Sequence, residues 1–121
     1  MGGHPMSLVT VPEFQGWIGF PDATSFSNDQ IELVIAAAEQ AITDYWGRPL
    51  NDPLKPLGDL EAVGKLAVLM KAARLWKRKD SPTGIEGMGD FGVAYISTRE
   101  DSDIIGMLQA TRDYDVVGGI A

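Results

Sequence analysis

Apolar positions recur at helical spacing along most of this chain. Ile31, Val34, Ile35, Ala38, Ala41, Ile42 and Tyr45 follow one another at steps of three and four, which places them on one face of a helix. Ser27 with Gln30 fits a capping box before it, and Gly47 and Pro49 stop it. A second run, Leu60, Val63, Leu66, Ala67, Met70, Ala73 and Trp76, repeats the spacing after Asp59, a candidate cap. Val68, Leu69, Ala72 and Leu75 fill the other side, so this helix is apolar most of the way round. Such a helix sits centrally in a bundle or buries a face against another subunit.

Shorter elements flank this pair. Thr10, Pro12 and Glu13 open a short helix that Gly16, Gly19 and Pro21 cut off. Pro49, Pro53, Pro56 and Gly58 make residues 47–58 a connector. Four glycines and Pro82 forbid a helix over 80–92, whereas Val93 to Thr98 has strand character and suits half a hairpin or an extended arm. Asp101 reads as the cap of a last helix carrying Ile104, Ile105 and Leu108. The pattern predicts helices over 11–17, 28–46, 59–79 and 102–109. The fold class is all-α: a small helical bundle around a long central helix, with a Gly-rich extended loop or short hairpin and a flexible C-terminal tail. The expected divisions are a leader or disordered N-terminus over 1–9, a helical domain over 10–110 with 81–98 as the loop, and a tail over 111–121. The loop at 81–92 is expected to open at low cost in a free subunit.

Charge changes the picture more than composition does. The chain has 121 residues, 45% of them hydrophobic, no cysteine and a net charge of −7. No apolar run approaches the ~20 residues needed to span a bilayer. The first five residues look like a leader, and no disulfide or thiolate chemistry is available. Residues 1–61 carry nine acids against Arg48 and Lys55. Residues 62–79 carry six bases and no acid: Lys65, Lys71, Arg74, Lys77, Arg78 and Lys79. Residues 80–121 carry eight acids against Arg99 and Arg112. Either the bases complement a helix dipole on a solvated face, or they meet acidic surfaces on neighbouring copies. On the second view Lys71, Arg74, Trp76 and Arg78 form a subunit interface, with Leu69 adding apolar area.

Candidate chemistry is sparse. Gly87, Gly89 and Gly92 match the dinucleotide glycine pattern, but it follows a helix and leads into a strand-like segment, the reverse of the order that presents a helix N-terminus to a pyrophosphate. Asp90 would also repel phosphates. Asp90-Phe91-Gly92 lacks the other kinase elements. His4 is the only histidine, and Asp101 and Asp103 have no loop of further oxygen ligands. Glu32 and Glu39 default to the solvated face of their helix. Trp17, Trp46 and Trp76 lie near helix ends and default to core packing. No catalytic residue, cofactor or metal is expected, and the chain is not read as an enzyme.

The order of elements resembles the head–tail connector (adaptor) family of tailed bacteriophages. The resemblance is carried by Val11-Pro12-Glu13-Phe14, by Phe26-Ser27-Asn28-Asp29, and by the helix end Ala41-Ile42-Thr43-Asp44-Tyr45-Trp46-Gly47-Arg48-Pro49-Leu50. Its most telling part is Ala72 to Gly84, containing Arg74-Leu75-Trp76-Lys77-Arg78-Lys79-Asp80-Ser81-Pro82, followed by Gly89-Asp90-Phe91-Gly92-Val93. It implies a virion neck protein that forms a dodecameric ring beneath the portal protein, continues the DNA channel without sequence-specific binding, receives a head-completion (stopper) or tail-side protein, and touches no membrane. It further implies that the loop with Gly84, Gly87, Gly89, Asp90, Phe91 and Gly92, together with the tail, does the docking. Two alternatives stay open: another small neck or tail-completion adaptor, and a helical nucleic-acid-binding regulator using the basic helix, in which Lys77-Arg78-Lys79 follow Trp76.

Overall fold

The computed structural model describes residues 8–19, 28–78 and 96–113. Among them are four α-helices and no strand, so the fold is all-α as the pattern predicts. Helix α1 spans Val11–Ile18, α2 Asn28–Trp46, α3 Glu61–Arg78 and α4 Ser102–Leu108. Helix α3 is central: it packs on α1, α2 and α4.

Local chemistry sets the ends. The Thr10 hydroxyl accepts from the Glu13 N–H at 3.2 Å, and Glu13 Oε1 accepts from the Thr10 N–H at 2.9 Å, which completes the expected capping box of α1. Helix α2 ends where Gly47 turns left-handed at φ 78°, a conformation that only glycine adopts without strain. Asp59 does not cap α3. It lies inside a 3-10 turn, Gly58–Leu60, that feeds the chain into the helix. A matching 3-10 turn, Gln109–Thr111, extends α4.

One core joins all four helices. Helix α2 contributes Ile31, Val34, Ile35, Ala38, Ala41, Ile42 and Trp46. Helix α3 contributes Ala67, Val68, Ala72, Leu75 and Trp76, α1 contributes Phe14, and α4 contributes Ile104 and Leu108. Phe14 meets Trp76 edge-on, with ring centroids 5.9 Å apart. Gly64 lets α3 approach the end of α2, because a Cβ there would lie 3.0 Å from Trp46 Cζ3.

Two expected boundaries move. Leu8 and Val9 belong to the body rather than to a leader. Val9 is buried, and both backbone N–H groups donate to Glu39 Oε2, at 2.8 and 3.2 Å. Thr111 to Asp113 are likewise docked rather than tail. The Trp46 indole N–H donates to Thr111 Oγ1 at 3.0 Å, Arg112 Nε to the Tyr45 carbonyl at 2.6 Å, and the Asp113 N–H to the Trp46 carbonyl at 2.8 Å. The last two bonds supply partners for carbonyls that the last turn of α2 leaves open. The Gly-rich loop, apart from Ile96 to Thr98, and the rest of the tail lie outside the described residues.

Candidate functional site: the two faces of α3

The inward face of α3 contains a lysine. Lys71 falls at the helical spacing of Gly64, Ala67, Val68 and Leu75, so it must enter the core, and only 1% of it is exposed. A bare ammonium there is prohibitive. Asp101, fully buried at the start of α4, answers it: Lys71 Nζ donates to Asp101 Oδ2 at 2.8 Å. The same oxygen accepts from the Ser97 N–H at 2.8 Å, and Asp101 Oδ1 accepts from Arg74 Nη1 at 2.9 Å. Arg74 Nη2 then donates to Asp103 Oδ2. Two cations and two carboxylates thus neutralise one another.

The titration behaviour follows from these contacts. Burial alone would raise the Asp101 pKa, but hydrogen bonds from Lys71, Ser97 and Arg74 outweigh it and hold the carboxyl below its ordinary value. Asp103 is also lowered, chiefly by Arg74, and Arg74 is raised, chiefly by Asp103. A buried carboxylate that accepts three hydrogen bonds, two of them from cations, is a poor base. The cluster is a clamp that fastens α4 to α3.

The clamp changes the expected interface. Lys71 is sealed inside the subunit and presents nothing to a neighbour. Trp76 is 8% exposed and packs against Phe14. Arg74 is spent on its own Asp101 and Asp103. Lys65 Nζ pairs with Glu13 Oε2 at 2.7 Å, which lowers the Glu13 pKa. The acids expected on neighbouring copies are thus supplied, for Lys65, Lys71 and Arg74, by the same chain. Lys77 is exposed. Arg78 ends α3, and its side chain lies outside the described part, as do Gly84, Gly87, Gly89, Asp90, Phe91 and Gly92.

The outward face is apolar. Ala62, Leu66, Leu69 and Ala73 recur at steps of four, three and four, opposite the buried stripe. Ala62 and Leu66 are exposed, and Leu69 and Ala73 are half-buried, as are Val63 and Met70 beside them. About three helical turns therefore carry a stripe without charge, exposed at Ala62 and Leu66, while Leu69 and Ala73 also pack against the core. Trp17, expected in the core, is also exposed, at 48%, whereas Trp46 is fully buried.

Sequence patterns missed Asp101 as the partner of Lys71. They also missed Glu39, which clamps the N-terminal segment instead of standing on a solvated face. Among the described residues no group of three His, Cys, Asp or Glu side chains could hold a metal ion, and no helix is long and apolar enough to cross a membrane. Compared with family models, with curated proteins and with solved structures, the chain finds no match.

Proposed function

We propose that this chain is a structural subunit that assembles side by side into a ring, as the head–tail connector of a tailed bacteriophage does. The observation that carries the proposal is the outward stripe of α3. A central helix that has already buried one face against three others keeps a second apolar face, Ala62, Leu66, Leu69 and Ala73, at or near the surface. Such a stripe suits a heterologous contact repeated around a closed ring. The resemblance in Ala72 to Gly84 and Gly89 to Val93 supplies the particular assembly: a virion neck ring, dodecameric, between the portal protein and a head-completion or tail-side protein, with DNA passing through its channel.

The charge pattern now has a different part. Because three of the six bases in 62–79 are consumed inside the subunit, apolar contact and not charge drives association. The nucleic-acid-binding alternative loses the same three bases as phosphate contacts.

The test is electron microscopy of the concentrated protein beside a Leu66→Asp variant. Rings are expected from the wild type and single subunits from the variant, with the helical fold kept and thermal stability lowered only modestly because Leu66 is 37% exposed. Absence of rings at any concentration, together with a steep salt dependence of DNA binding, would establish the regulator instead.

A further inference from the structure

The connector between α2 and α3 holds one large apolar side chain out in water. Leu54 is 88% exposed, the highest value among the exposed large hydrophobic residues of the described chain. It is not a loose position. Asp52 Oδ1 accepts from the Leu54 N–H at 2.8 Å, and the Asp52 carbonyl accepts from the Lys55 N–H at 3.0 Å, closing a turn. Pro53 and Pro56 fix φ on both sides. Leu50 on one side is buried and Leu57 on the other half-buried, so both feet of the turn are anchored. A backbone held this firmly loses little further freedom when Leu54 docks.

Beside the turn lies a recess of about 240 Å³. Leu8, Leu50, Pro56 and Leu57 give it apolar walls, and Asp52 and Glu61 stand at it with carboxylates. The cation Lys55 follows Leu54 directly. Among the described residues neither Lys55 nor Glu61 makes a salt-bridge contact inside the subunit, and Glu61 acts on Lys65, one turn along α3, only through space. One patch thus carries an apolar knob next to a cation and an apolar hole next to carboxylates. A surface complementary to itself in this way is what a two-fold contact requires.

We propose that two copies of this chain pair reciprocally through the 50–61 connector, the Leu54 of each entering the recess of the other while Lys55 meets the other copy's Glu61. The contact goes beyond ring formation and does not depend on it, because it uses a different surface from the α3 stripe. The patch is small, so the pair is weak and forms at high protein concentration.

Sedimentation velocity from about 10 µM to about 1 mM, a range that spans weak dimers, tests it on the wild type and on the Leu66→Asp chain, in which ring contacts do not interfere. Both are expected to shift from monomer to dimer. Leu54→Ser should weaken pairing about a hundredfold or more, the scale of losing the two leucines that a reciprocal contact docks, with an unchanged circular dichroism melt. Lys55→Glu and Glu61→Lys should each pair less well alone, since each places like charges opposite one another. Their equimolar mixture should recover wild-type pairing, because every contact in the mixed pair is then matched. A wild type that stays monomeric, a Leu54→Ser chain that pairs like the wild type, charge variants that do not weaken, or a mixture no better than its components would each overturn the proposal. Rings that persist in Leu54→Ser leave the ring proposal standing whatever the dimer does.

Discussion

Lys71 shows how one residue escapes a pattern-based reading. Its position on the inward face follows from helical spacing, yet a lysine is scored as polar and assigned to the surface. What reverses the assignment is Asp101, 30 residues away, and no local rule connects the two. Asp101 itself was legible as a helix start, and it does occupy the cap position of α4, but its side chain makes no capping bond. Its oxygens go to Lys71, Arg74 and Ser97. Removing one partner of a buried pair leaves an uncompensated charge, which costs about 3–5 kcal/mol. Lys71→Ala is expected near the lower end, because Arg74 still faces Asp101. Urea denaturation measures the loss, and a change below 0.5 kcal/mol, the scale of an ordinary surface substitution, would show that Lys71 is not held as described.

At the scale of elements, the two long helices were readable and their accessories were not. The expected limits of α2, 28–46, were read from Ser27, Gln30 and Gly47 in the sequence, and the observed Asn28–Trp46 agrees with them. The face of α3 was ambiguous because apolar residues surround it, and the structure buries the stripe through Ala67, Val68 and Lys71 rather than the one through Leu66. The docking of residues 109–113 was invisible, since it depends on open carbonyls at the end of α2. Arg112 makes that end secure: besides its bond to the Tyr45 carbonyl, its guanidinium lies 4.1 Å from the Tyr45 ring centroid. Its charge also suits a helix C-terminus. Arg112→Ala is expected to cost about 1–2 kcal/mol and to speed amide exchange at Asp113 more than at Ile42. Equal acceleration at both positions would mean that the segment does not detach on its own.

For the whole molecule, acid is the condition that should separate the clamp from the rest of the core. Asp101 has a folded pKa below its unfolded value, so the folded state favours its ionised form. Its contribution is complete above the unfolded carboxylate value of about 3.9 and is lost as pH falls through the lower folded value. Glu13 and Asp103 shift in the same direction, but they are partly or largely exposed and add little. Stability is therefore expected to fall below about pH 4, and Asp101→Asn should flatten that fall while lowering stability at neutral pH. Urea midpoints against pH for both chains test it; parallel curves would assign the acid limb to other carboxyls.

The burial of Trp46 makes the C-terminal segment optically visible. Its indole is shielded from water and bonded to Thr111, while Trp17 already stands in solvent. If residues 109–113 lift away, the indole gains water as a neighbour and its emission moves to longer wavelength, and a Trp17→Phe chain would report that event with less background. The subunit therefore needs no attached dye to show when residues 109–113 let go of α2, whether in acid, in urea or on meeting a neighbour.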